Sequence, residues 1–130
     1  MPRIAVNAPA AAAAAVGPYS HAVDSGGLLF LSGQTPLDGS TGALVTGGID
    51  VQTRQCFANL GAVLQAAGLS FDDVVKCTVF LRDMADFAAM NSIYAEQFSE
   101  PAPARTTIGV ASLPLDAQVE IELIARRPAT

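Results

Sequence analysis

The chain has 130 residues, of which 51% are hydrophobic and only 15% charged, with a formal net charge of −5. That length closes a real core, but the charge is thin beside the roughly 25% of ordinary soluble domains, so apolar surface is expected to be buried between subunits. The negative balance, with no Lys/Arg cluster beyond Arg126-Arg127, speaks against a nucleic-acid partner, and no stretch approaches the roughly 20 apolar residues that span a bilayer.

From the N-terminus, the run Ala10 to Ala15 is short, weakly hydrophobic and flanked by Pro9 and Pro18. It reads as neither a membrane span nor a signal peptide. Gly17-Pro18-Tyr19 reads as a turn entering a strand that runs to about Val23. Gly26-Gly27 is a second turn, and Leu28-Leu29-Phe30-Leu31-Ser32 a buried strand. Gly33 to Gly48 is broken by Pro36, Asp38-Gly39, Gly42 and Gly47-Gly48. A helix capped by Asp50 is expected next. Cys56, Phe57, Leu60, Val63, Leu64 and Ala67 form its apolar stripe, and Gly68 ends it.

Val74 to Arg82 alternates as a strand, with Val75, Cys77, Val79 and Leu81 on one face. Asp83 should cap a second helix with Phe87, Met90, Tyr94 and Phe98 on one stripe, stopped by Pro101 and Pro103. The order is strand, strand, helix, strand, helix, strand, strand. Long crossovers separate the middle elements, so a mixed sheet with both helices on one face is expected, an α+β domain over residues 1–130. Cys56 and Cys77 lie in apolar segments, which suits buried, reduced thiols and a cytoplasmic location. His21 stands alone and no Cys/His/Asp cluster has ligand spacing, so no metal site is expected.

The last quarter carries the chemistry. Arg105, Thr107 and Gly109 alternate against Thr106, Ile108 and Val110, and Gln118, Glu120 and Glu122 against Val119, Ile121 and Leu123. If Ala111 to Asp116 connect these strands as an antiparallel hairpin, Thr107 faces Glu120 and Arg105 faces Glu122, with directly opposed Cβ atoms about 5 Å apart. The patch is then either a cross-strand ion pair on a wet face or a polar site for a small acidic molecule. The chain has one Lys and six Arg, and only Arg54, Arg82 and Arg105 lie well inside it. A planar guanidinium suits bidentate capture of a carboxylate.

Several blocks resemble the RidA/YjgF family of imine deaminases in order and spacing. They are Asn7-Ala8-Pro9, Gly17-Pro18-Tyr19, Ser32-Gly33-Gln34-Thr35-Pro36, Ala66-Ala67-Gly68-Leu69, Val75 to Asp83, Asn91 before Tyr94, Pro103-Ala104-Arg105 and Val119-Glu120-Ile121-Glu122. The resemblance implies a chorismate-mutase-like fold and a homotrimer with sites in clefts between subunits. It also implies hydrolysis of 2-imino or enamine acids, such as 2-iminobutanoate and 2-iminopropanoate, to 2-oxo acids and ammonia without metal or organic cofactor. On that pattern Arg105 clamps the substrate carboxylate and Glu120 positions water, with Tyr19 as the third catalytic candidate. Ser32, Gly33, Asn91 and Thr107 line the pocket. Thr107 stands where many members have cysteine, and the alanine run lengthens the usual link before Gly-Pro-Tyr. A deaminase for something like 2-aminomuconate or an aminoacrylate, and a non-enzymatic carboxylate-binding regulator, are the alternatives that the resemblance leaves open.

Overall fold

Gly26 and Gly27 both take positive φ, +63° and +90°, the two-residue turn whose twist suits paired strands. They join β2 (Ala22–Ser25) to β3 (Leu28–Gln34), and Asp24 Oδ1 accepts the Gly27 N–H at 3.1 Å. The computed structural model describes residues 2–8 and 17–129. The expected lengthened link at Ala10–Ala15 lies outside the described residues.

The remaining elements are β1 (Ile4–Val6), α1 (Ile49–Ala66), β4 (Val74–Leu81), α2 (Phe87–Ala95), β5 (Ala104–Gly109) and β6 (Val119–Arg126). Several features differ from expectation. A register shift between Val74 and Lys76 turns Val74 inward and leaves Val75 exposed, so Val75 does not join Cys77, Val79 and Leu81. Phe98, expected on the stripe of the second helix, lies beyond its end at Ala95. The strand expected from Tyr19 starts at Ala22. β1 was not foreseen, because three residues are too few for a period to show; its pairing with the edge of β2 makes it a strand. Gly48, not Asp50, occupies the N-cap of α1, and Asp50 lies in the first turn, where a carboxylate meets the positive end of the helix dipole. Gly68, at φ +76°, closes α1 in the left-handed region that glycine enters without strain. Asp83 Oδ1 accepts the Ala85 N–H at 2.9 Å and starts a 3₁₀ turn that leads into α2.

The six strands run in the order β1-β2-β3-β6-β4-β5. All neighbours are antiparallel except β4 and β5, which are parallel. Both helices cover one face of this mixed sheet. Their Cys56, Phe57, Leu60, Leu64, Met90 and Tyr94 share one core with Leu29, Leu31, Cys77, Val79, Leu81, Val119, Ile121 and Leu123. The two cysteines are free and buried.

The closing hairpin does not form. β6 enters between β3 and β4, and β5 pairs with β4 on the far side. Period two assigns each residue to a face but says nothing of which strand lies beside it. β4 and β6 each bury a fully apolar row, which suits interior positions. β5 leaves Ala104, Thr106 and Ile108 exposed and takes the edge. Its connection to β4 passes through α2, and such a crossover returns the chain parallel. In register, Arg105 lies beside Cys77, which lies beside Leu123, all on the helix-covered face. Glu120 lies beside Phe80 and Glu122 beside Thr78 on the other face. Arg105 and Glu120 therefore point to opposite sides of one sheet.

Candidate functional site

The candidate residues form two groups, one on each face. On the open face, Tyr19, Ser32, Gly33, Thr35, Pro114, Glu120 and Glu122 line a cleft of about 480 Å³. The register of β3 against β6 shifts between Leu31 and Gln34, so Ser32 and Gly33 sit at an irregularity, as bulged residues near sites often do. Ser32 Oγ donates to the Ser20 carbonyl at 2.7 Å, and Ser32 N–H donates to the His21 carbonyl at 2.9 Å. His21 is held in turn by the segment after β1, for its Nδ1 accepts the Ala8 N–H at 2.9 Å. These bonds tie the segment carrying Tyr19 to the cleft wall.

Glu120 lies against Gly33. A Cβ added at Gly33 would run into its carboxylate oxygen and lie 3.1 Å from its Cδ. The half-buried Glu120 carboxyl is pushed up from its usual pKa, first by burial and second by the charge of Glu122. Within one chain no arginine opposes this shift, because Arg105 is on the far face. The lower rim of the cleft is the loop before β6. Leu115 and Asp116 both have positive φ, 56° and 59°, a strained choice for residues with side chains. Arg82 Nη1 holds the loop there at 2.7 Å from both the Asp116 carbonyl and its Oδ1.

This geometry gives a clean test of the glycine. Gly33→Ala should displace the Glu120 carboxylate, because a flexible side chain yields before backbone does. If Glu120 acts on substrate, kcat falls by about tenfold, roughly 1.4 kcal/mol, while thermal stability changes little. Unchanged kcat in a folded variant would dissociate Glu120 from the chemistry.

On the helix-covered face, Arg105 Nη1 donates to Asn91 Oδ1 at 2.6 Å. The guanidinium carbon lies 4.6 Å from the Tyr94 ring centroid and 5.5 Å from that of Phe87. Thr107 is two residues along the same face, and its Oγ1 is buried with no hydrogen-bond partner among the described residues. Cys77, next to Arg105 in register, has its thiol pushed up to about 12 by burial, so it stays protonated. Burial likewise raises the Cys56 thiol and the Tyr94 phenol.

Asn91 and Thr107 thus join Arg105, while Tyr19, Ser32 and Gly33 join Glu120, and no single chain brings the two groups together. Tyr94 and Phe87 were read from the sequence only as core residues. The signal was present, since Phe87, Asn91 and Tyr94 recur at i, i+4 and i+7 on one helical stripe. Among the described residues, no group of three or more His, Cys, Asp or Glu converges as a metal site would require. No helix among them is long and apolar enough to cross a membrane.

Comparison with known proteins gives the family and the fold. The family described as Endoribonuclease L-PSP matches residues 9–127, and the chain belongs to it; this is the RidA/YjgF family of the sequence resemblance. A RutC family protein from Pyrococcus horikoshii is 53% identical over 85% of this chain and 87% of its own length. The 2-iminobutanoate/2-iminopropanoate deaminase of Mus musculus is 49% identical over 88% of this chain and 84% of its own. The crystal structure of RidA from an Antarctic Psychrobacter superposes with a TM-score of 0.90 at 43% identity, covering 95% of this chain and 99% of that one.

Proposed function

We propose that the chain hydrolyses small 2-imino acids, and the enamines that tautomerise to them, to 2-oxo acids and ammonia. The site is a cleft between two copies, one giving Arg105 with Asn91 and Thr107, the next giving Glu120 with Tyr19, Ser32 and Gly33. One observation carries this reading. The cation suited to a carboxylate and the carboxylate suited to water lie on opposite faces of the same sheet. They serve one small substrate only if a second chain brings its own pair alongside.

The open face supports that assembly. Leu28, Phe30 and Ile108 are 39%, 46% and 43% exposed there, beside the half-buried Phe80 and Ile124. Such an apolar sheet face is normally covered by protein, and the family resemblance favours a homotrimer. In the reaction, Arg105 binds the substrate carboxylate and fixes the C=N carbon near Glu120. Glu120 takes a proton from water as the water oxygen adds to that carbon. The proton passes to nitrogen and leaves a carbinolamine; its hydroxyl proton then reaches nitrogen through the same carboxylate, the C–N bond breaks as the carbonyl forms, and ammonia leaves. A raised pKa brings Glu120 nearer to both halves of this proton transfer. The net charge of −5 disfavours a nucleic-acid ligand. No metal or organic cofactor enters this scheme. The substrate comes from enzymes that eliminate water from hydroxy amino acids, and the setting is cytoplasmic.

A coupled assay tests the reading. A threonine dehydratase generates 2-iminobutanoate, and the chain should speed release of 2-oxobutanoate while light scattering reports the mass of three chains. Release at the uncatalysed rate would refute the deaminase, and a stable monomer would refute the shared site.

A further inference from the structure

Arg105 is held differently from three other arginines of the chain. Arg54, Arg82 and Arg127 each pair with a carboxylate, Glu96, Asp116 and Asp24, at 2.9, 2.7 and 2.8 Å. Among the described residues Arg105 has no carboxylate partner. It has an amide oxygen, Asn91 Oδ1, and the faces of Tyr94 and Phe87. The difference is chemical. A carboxylate would orient the guanidinium but also neutralise it and occupy its donors. Aromatic faces and an amide oxygen orient it and leave its charge and remaining donors available. All three contacts come from one stripe of α2, so the seat is as rigid as the helix.

We propose that Tyr94, assisted by Phe87, is a positioning residue for the anion-binding arginine. It holds the guanidinium plane with Nη1 on Asn91, so that the Nε–Nη2 edge offers two parallel N–H bonds to the carboxylate of a 2-oxo or 2-imino acid. This rests on the reading of Arg105 as the carboxylate clamp. An unsupported arginine would be ordered only on binding, and that ordering would weaken affinity. Tyr94 also has a packing role, since it is 8% exposed and its ring lies 5.8 Å from Phe57 and 4.9 Å from Phe98. The test must separate the two roles.

The probe is 2-oxobutanoate, whose binding to the full-length chain is measured by calorimetry and needs no turnover. Tyr94→Leu should weaken binding by at least about fivefold, and Tyr94→Phe, which keeps the ring, should recover most of that loss. The same Tyr94→Leu change made in an Arg105→Lys chain should cost less than about twofold, because an ammonium has no plane to orient. Should Tyr94→Leu not fold, Phe87→Leu at the half-buried rim supplies the same cycle. Equal losses in the arginine and lysine backgrounds would overturn the proposal, as would a folded Tyr94→Leu chain that binds like wild type. Arg105-dependent binding that ignores Tyr94 would refute this inference alone. A wild-type chain that fails to bind 2-oxobutanoate would refute the deaminase reading with it.

Discussion

Arg105→Ala should lower kcat/KM for 2-imino acid hydrolysis at least about a hundredfold and leave the chain folded. The substrate's constant feature is its carboxylate, and a hydrogen bond to a charged group contributes about 1.5–3 kcal/mol. Losing two such bonds exceeds the roughly 2.7 kcal/mol that a hundredfold represents. Folding should survive, because Arg105 sits on the edge strand and forms no ion pair among the described residues. Arg105→Lys should recover little, since a point charge on a flexible stem cannot reproduce the fork and has no flat face for Tyr94. Wild-type turnover by Arg105→Ala would reduce the Asn91 bond and the ring contacts to packing.

Glu120→Gln should act in the opposite manner, lowering kcat by about a hundredfold with little change in binding, because it removes the proton acceptor and not the clamp. Its effect on stability should have the reverse sign. The folded carboxyl has a raised pKa, so the folded chain holds this proton more tightly than the unfolded chain. Stability from this group therefore falls as pH rises from the ordinary carboxylate value through the raised one. At pH 7 the ionised Glu120 is a net cost, relieved in the glutamine variant, which should melt slightly higher than wild type. Activity runs the other way with pH, since the base must be ionised. It should be lost on acidification at a pH above that of an unperturbed glutamate. A variant with normal kcat would remove Glu120 from the reaction.

The faces of the strands were legible in the sequence, and so were both ends of the chemistry. Alternation placed Val119, Ile121 and Leu123 in the core and Glu120 and Glu122 outside it, as observed. The hydrophobic stripe of α1 and its glycine stop were equally plain. What alternation could not supply was adjacency. The chain's return from β4 through α2 made β5 parallel to β4, and β6 then filled the space beside β3. A hairpin between β5 and β6 was the shortest connection available to local reasoning, but it put Arg105 and Glu120 in one patch by the wrong route. A hairpin would also set Arg105 against the pKa of Glu120, where within one chain only burial and Glu122 act. The spacing of Phe87, Asn91 and Tyr94 put them on one stripe of α2, but Phe87 and Tyr94 also satisfy a core pattern, so the stripe alone did not show that Arg105 would sit on it. Leu115 could not be foreseen as a left-handed residue, since leucine rarely takes that conformation, whereas Asp116 belongs to a type enriched there.

The central claim is that Arg105 of one copy and Glu120 of the next share a substrate, and mixing two inactive chains tests it most directly. Arg105→Ala and Glu120→Gln chains are unfolded together in equal amounts and refolded, with each refolded alone as a control. Random assembly then gives about a quarter of the clefts both native residues. The mixture should recover about a quarter of wild-type activity, while the controls stay inactive. A mixture no more active than its components would show that the two residues do not meet across a subunit boundary.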